Sequence, residues 1–550
     1  MMDSFDYIIV GAGSSGCVVA NRLSADPDIS VCLIEAGGDG NTPWIKIPAG
    51  VFGLYGNPKY DYTFKGMPQK HLNDRSMTVN RGKALGGSSA INSTVYTRGN
   101  RNDYDGWVKL GCAGWGYDDV LPIFKKLEKN LAGQSAKFHG FDGELAVSKQ
   151  QDPNAVGDIF VAAGVDAGLP QNTDFNGESQ LGLGLYNVTQ DKGRRVSSYN
   201  AFLEPIQEKR SNLTILTHTE VFALKYADEA SAEDQGSSVG KNVRVSGVII
   251  EQEGKTRELH CQREVVLCAG AIASPRILLA SGVGDRAQLK ELGIKCQKHL
   301  PGVGENLQDH IDSMVTVRSA NTKSIGVSLA TLLPHVIPAP LKYWFKRKGW
   351  WTTNYVEAGG FARTVLATDD PDIQFHFTPL YRSHRGKKFE FGHGYSVFTC
   401  VLRPKSKGSV KLADDGTYRN VLIDHNFFAH EEDKKTLIEG VKKAREILAS
   451  PKFDELRGEE MAPGKAVQTD EQILEYLLNT TGTVYHPVGT CKMGVDDMAV
   501  VDPASLKVYG VDNLRVIDAS IMPALISGNT SAPSMMIGEK GARMILESKR

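Results

Sequence analysis

Asp6-Tyr-Ile-Ile-Val-Gly11-Ala-Gly13-Ser14-Ser15-Gly16-Cys-Val-Val-Ala20 reads as a buried strand that turns directly into a helix. Tyr7 to Val10 is a short apolar, β-branched run. The spacing Gly11, Gly13, Gly16 supplies a tight turn, a bare backbone for a pyrophosphate and close helix–strand packing. The helix N-terminus offers free N–H groups and a positive dipole end to phosphates. A second strand, Val31-Cys-Leu-Ile, follows at the expected distance and ends in Glu35. That acid is placed to accept hydrogen bonds from ribose hydroxyls and to repel a 2′-phosphate, which disfavours NADP. The stretch predicts a dinucleotide-binding unit.

Working outward, 550 residues imply about two to four domains, one of them open to being discontinuous. Lys plus Arg is 63 and Asp plus Glu is 64, a net charge of −1, so electrostatics point to a small-molecule partner and to no nucleic acid. Eight cysteines with no CxxC pair predict reduced thiols in the cytosol. Histidines lack ligand spacing, so no metal is expected. The N-terminus enters the first strand almost at once, which predicts no signal peptide. The uncharged run Ser324 to Leu341 is broken by Pro334, Pro338 and Pro340, so no membrane span is expected.

Further along, Asn80-Arg81-Gly82-Lys-Ala-Leu85-Gly86-Gly87-Ser88-Ser89-Ala-Ile91-Asn92 forms a second glycine-rich element. Its paired glycines let backbone approach a planar ring, and Ser and Asn offer donors; alone, it reads equally as a turn into a helix. Val221 to Tyr226 and Val243 to Ile250 are strand-like. The polar tract around Ala230 to Gly240 between them is expected to be an exposed hairpin tip. Glu264 to Gly270 reads as another buried strand, bringing distant chain back to the first sheet, and it runs into Ala271 to Gly284.

Together these elements resemble the glucose–methanol–choline oxidoreductases, FAD-dependent enzymes that oxidise alcohols, over essentially the full length. Gly82 to Asn92 is similar to the family's first signature and Gly270 to Gly284 to its second. The C-terminal part is similar to its catalytic region. There Thr469 and Gln472 can open a helix as a capping box. Downstream, Tyr485-His486-Pro-Val-Gly-Thr-Cys-Lys-Met-Gly494 places His486 in a loop that presents side chains. A lone His is more often structural, but the resemblance makes His486 the base. Its partner falls at Asn529, which can hydrogen-bond the substrate oxygen but cannot act as a base. Gly528-Asn529 is also ordinary turn chemistry. Pro533 suits the first turn of a closing helix, Pro533 to Leu546, whose N-terminus is expected to face the flavin.

The resemblance implies an α/β fold with an α+β part: a Rossmann-like FAD-binding domain (1–144, 197–310 and 465–550), and a substrate-binding domain (145–196 and 311–464) with a mostly antiparallel sheet and helices. It places Gly11, Gly13, Ser14, Ser15, Gly16, Glu35, Ala36 and Val221 around the ADP half of FAD. Arg81, Gly82, Leu85, Gly86, Gly87, Ser88, Asn92, Val95, Ala269, Gly270, Asp518, Ala519, Asn529, Thr530 and Met536 fall around the rest. Relatives that attach FAD covalently use a His where this chain has Ile91, so FAD is expected to be non-covalent.

The implied reaction is oxidation of a primary, aliphatic alcohol by hydride transfer to the flavin, with electrons passed to a non-nicotinamide acceptor such as a membrane quinone. Alternatives are a choline dehydrogenase, with Glu357, Trp350, Trp351 and Tyr355 as a cationic cage, an alcohol oxidase using O2, a redox-neutral hydroxynitrile lyase, and a flavin-binding sensor without a base. Pro334 to Tyr355 interleaves aromatics with cations, a composition that suits a lid, a buried helix or peripheral membrane contact. The implied location is cytoplasmic, with a place on the inner face of the cytoplasmic membrane if that segment meets lipid.

Overall fold

The computed structural model describes residues 3–227, 242–381 and 391–548. The tract Ala230 to Gly240 expected to form a hairpin tip lies outside them. Two sheets organise the described chain. In the first, Leu213–Leu216, Val31–Ile34, Ser4–Val10 and Lys255–Leu267 run parallel in that order, and Leu514–Val516 adds beyond. Strand Ser4–Val10 is the topological switch point: Val31–Ile34 lies on one side and Lys255–Leu267 on the other. In such sheets a ligand crevice opens at the carboxyl ends of the strands on either side of the switch, here at Gly11 and Cys268.

The strands are apolar because both faces are covered. Helix Ser14–Leu23 and the last helix, Ser531–Glu547, pack on one of them. Lys255–Leu267 serves twice: its second half joins the parallel core, and its first half pairs antiparallel with Val243–Gln252, which pairs with Thr219–Tyr226.

The second sheet runs Arg457–Ala462, Ile311–Ser319, Gly394–Val401, Ile373–Thr378, Ala358–Ala362, Gly182–Leu185, all antiparallel. Helix Glu431–Leu448 covers one face with Leu437, Val441, Ala444 and Leu448 at helical spacing. Gly440 permits that approach, since a Cβ there would meet Thr399 Cγ2 at 2.4 Å. Strand residues alternate by face. Ile373, Phe375 and Phe377 meet the helix layer, which turns Gln374 and His376 to the opposite side. Helix Asp470–Thr480 opens with the expected capping box, and strand Gly482–Thr483 pairs with Ile311–Asp312. Both pack with the second sheet and its covering helix.

Candidate active site

A cavity of about 800 Å³ opens at the carboxyl ends of the parallel strands and reaches the second sheet. Gly11, Gly13, Ser14, Ser15, Glu35, Ala36, Val221, Ala269 and Gly270 line it, as do Arg81, Gly82, Gly87, Ser88, Asn92, Val95, Asp518, Ala519 and Thr530. His486 and Asn529 lie on the same wall system, so the fingerprint and the two residues expected to do chemistry share one space. Gly16, Leu85, Gly86 and Met536 are absent from the lining. Gly16 is instead a packing residue, because a Cβ there would sit 1.9 Å from Gly11 O. Leu85 and Met536 are core residues.

The paired glycines also have a packing role. Gly86 faces Ser197, and Gly87, at φ +51°, would carry a Cβ 2.7 Å from Gly13 Cα. The second glycine element thus docks on the first. Gly13 itself stays bare toward the cavity, where a Cβ would meet nothing nearer than Cys268 O at 3.8 Å. Glu35, expected to serve a ribose, also fixes the turn: its carboxylate accepts from Ala12 N at 3.0 Å and Gly37 N at 2.9 Å. Burial pushes its pKa up to about 7. Asp518 stitches two segments together, accepting from Gly270 N at 2.9 Å, Ser274 Oγ at 2.6 Å and Ser520 N at 2.8 Å; burial raises its pKa.

His486 is fixed at its backbone by Asp309, which accepts from His486 N at 2.8 Å and also binds Thr483 Oγ1. Its ring belongs to a chain of hydrogen bonds whose direction can be deduced. His310 Nε2 lies 3.2 Å from Leu402 O and 3.1 Å from Ile526 O. Carbonyls only accept, so His310 Nε2 carries the proton. Burial holds His310 neutral, with a pKa lowered to about 4, so its Nδ1 is an acceptor. His486 Nδ1, 2.9 Å away, must therefore donate, which leaves the lone pair of His486 on Nε2. Asn529 Nδ2 lies 3.3 Å from that nitrogen. Asn529 is oriented by Thr97 Oγ1 at 3.1 Å and Gln374 Nε2 at 3.3 Å, both on its Oδ1. Burial, and after it His310, His376 and Arg81, hold the His486 pKa well below the ordinary histidine value.

Sequence reading missed His310, His376, Gln374, Thr97 and Arg195, whose guanidinium bonds Asn92 Oδ1 at 2.8 Å. One signal was available. Ile373-Gln-Phe-His-Phe-Thr378 alternates apolar and polar side chains, yet every residue of it is buried, so its polar face had to serve a site rather than solvent. The proposed cage does not assemble. Glu357 is buried away from the cavity, with Oε2 accepting from Asn154 N at 2.6 Å, and of the four cage residues only Tyr355 lines the cavity. The carboxylate was spent on a loop turn that no local pattern announces.

The cradle fits a dinucleotide flavin: a bare Gly13, N–H groups at the start of helix Ser14–Leu23, and a buried His376 Nε2 on the wall with no hydrogen-bond partner among the described residues. The last helix also opens on the cavity, through Thr530, Ser531 and Ser534.

Comparison with known proteins agrees. Models of the GMC oxidoreductase family match residues 5–312 and 404–538. An alcohol dehydrogenase (acceptor) of Pseudomonas putida is 43% identical, covering 98% of this chain and 96% of its own. An oxygen-dependent choline dehydrogenase of Sinorhizobium fredii is 40% identical, covering 98% and 95%. Among solved structures, pyridoxine 4-oxidase from Mesorbium loti superposes with a TM-score of 0.85 at 29% identity, covering 99% of each chain. A formate oxidase of Aspergillus oryzae, studied for its FAD modification, gives 0.89 at 25%, covering 99% and 98%. Two sheets meeting over one cavity, a fingerprint at the switch point and matches across the whole length make this chain a member of the GMC oxidoreductases, a family of FAD-dependent enzymes.

Proposed function

We propose that the protein oxidises a primary aliphatic alcohol to its aldehyde and hands the electrons to a non-nicotinamide acceptor such as a quinone. The observation that carries this reading is the directed chain His310–His486–Asn529, which leaves an unprotonated Nε2 beside an amide donor on the cavity wall. FAD, when bound, supplies a hydride acceptor. His486 Nε2 takes the hydroxyl proton, and Asn529 Nδ2 donates to the substrate oxygen as charge grows on it. His310 holds the tautomer that keeps Nε2 available. Gly13, Ser14, Ser15 and Glu35 would hold the ADP half, and Gly87, Asn92, Asp518 and Thr530 the remainder. Ile91 lines the same cavity, and its aliphatic side chain supports non-covalent binding. We place the dinucleotide-binding domain on the parallel sheet and the substrate domain on the antiparallel one.

Val356, Phe398 and Pro487 give the cavity apolar wall, which suits an alkyl chain. One observation favours a second reading. Asp312 lines the cavity from the same sheet face as His376 and Phe398, and an acid sharing the cavity with Tyr355 and Phe398 suits a quaternary ammonium alcohol such as choline. Anaerobic spectra of the purified flavoprotein decide. Bleaching by medium-chain primary alcohols, with slow recovery in air, is the expected result. Bleaching by choline alone, abolished in Asp312→Asn, supports the second reading. Fast recovery with peroxide means an oxidase. A flavin that no alcohol reduces refutes the oxidation itself.

A further inference from the structure

The segment from Leu329 to Lys346 is a run of helical turns, Leu329–Thr331, Leu332–Val336 and Ala339–Lys346, interrupted around Pro338. Apolar side chains recur in it at every fourth position, and they face outward. Leu329 is 93% exposed, Leu333 74%, Ile337 59%, Leu341 61% and Phe345 83%. Leu332 and Trp344 widen the stripe. Ordinary surfaces expose such residues singly, and a continuous apolar row marks an interaction site. The segment is anchored from beneath rather than loosely attached. Tyr343 is buried with its hydroxyl donating to Gly193 O at 3.0 Å, and Trp350 stacks on His335 at 5.0 Å.

Charge identifies the occupant. From Ser324 to Val356 the chain contains Lys342, Lys346, Arg347 and Lys348 and no acid. The Gly193 turn beneath adds exposed Lys192 and Arg194. Asp191 is exposed on the same turn, and Asp152 is engaged with Gly349 N at 2.7 Å, so cations outnumber acids at this face. A protein partner needs only the apolar row. Leu, Phe and Trp flanked by Lys and Arg is the composition of a helix lying in a lipid interface, its cations at headgroup level. We propose that Leu329–Lys346 docks the protein on an anionic bilayer surface, resting on it without crossing. No helix among the described residues is long and apolar enough to span. The chain leads from this segment to the cavity wall at Tyr355, nine residues past Lys346. Phe52, half exposed, meets Tyr355 edge-on at 5.4 Å, and Tyr355 lines the cavity wall.

Vesicle sedimentation of the full-length, FAD-loaded protein tests this without substrate, so its outcome is separate from that of the alcohol assay. The expected result is binding to phosphatidylcholine vesicles containing phosphatidylglycerol, and weaker binding to phosphatidylcholine alone. Leu333→Ser, Leu341→Ser and Phe345→Ser combined should lower affinity by at least about tenfold. Neutralising Lys342, Lys346 and Lys348 to Gln should cost about fivefold each at low salt. The triple serine variant should keep its thermal midpoint and flavin content, since its targets are exposed. No binding to either vesicle, or equal binding by the wild type and the serine variant, overturns the proposal. So does a concentration-dependent dimer that the serine changes abolish, which would assign the row to a second copy of the chain.

Discussion

His486 owes its state to neighbours rather than to its own sequence. Its pKa lies well below the ordinary value, so the base is unprotonated in mildly acidic solution. The pH profile of anaerobic flavin reduction should therefore stay level as pH falls past about 6.5, where an unshifted histidine would begin to lose rate. A break near 6.5 would contradict the burial argument. His486→Ala should slow flavin reduction by about 10²–10⁴-fold while FAD content is retained. Asn529→Ala should cost about 10²–10³-fold, and apoprotein from either variant would show a structural role instead. His310 gives a stability prediction whose sign follows from proton counts. The unfolded residue titrates near 6.5, and the folded one near about 4. Between these values the unfolded chain binds more protons, so stability is fullest above 6.5 and is lost as pH falls toward 4, by about 1.4 kcal/mol per unit. Urea midpoints at several pH values measure the slope, to which the likewise lowered His486 and His376 add, and His310→Gln should reduce it by His310's share. His486 and Asn529 were legible because each sits in a motif. His310 and His376 were not: His376 reaches the site from strand Ile373–Thr378 and His310 from the residue before strand Ile311–Ser319, both remote in sequence from His486.

At the scale of elements, the two glycine loops act as one. Gly87→Ala pushes a methyl into Gly13 Cα at 2.7 Å and should yield protein with much reduced flavin content, seen as a fall in the absorbance ratio of flavin to protein. Gly13→Ala has open space by comparison and should spare the fold while hindering the cofactor. In the second sheet Phe375 is fully buried against the layer of helix Glu431–Leu448, and Phe375→Ala should cost about 3–5 kcal/mol in denaturant unfolding. Much of the first sheet could be read from sequence because Tyr7–Val10, Val31–Ile34 and Val265–Leu267 are short apolar runs; Leu213–Leu216 and Leu514–Val516 could not, lacking a motif beside them. The docking of one glycine loop on the other was hidden, since it depends on the third dimension alone. The opposite error came at Glu357, where an acid near aromatics suggested a cage, but the fold engages the carboxylate with Asn154 N and the Thr353 side chain.

Over the whole molecule, the cavity exists only where both sheets meet. His486 follows the edge strand of one, and Asn529 precedes the last helix of the other. Eight free cysteines, most of them buried, contribute through packing, so the unfolded protein should titrate eight thiols and reductant should leave the melting temperature unchanged. The last helix carries a consequence for how the protein is made. Gly538 lies against Ser15, with no room for a Cβ at 2.7 Å from its carbonyl oxygen, and the buried Glu539 carboxylate receives Arg22 Nε at 2.6 Å and Lys126 Nζ at 2.5 Å. The nucleotide loop leaves the ribosome long before its backing, which lies more than 500 residues further along the chain. Until that helix emerges, Arg22 has no buried counter-ion and the fingerprint helix keeps an apolar flank in water. A chain stopped short of residue 531 should therefore carry the fingerprint without its backing and hold little flavin.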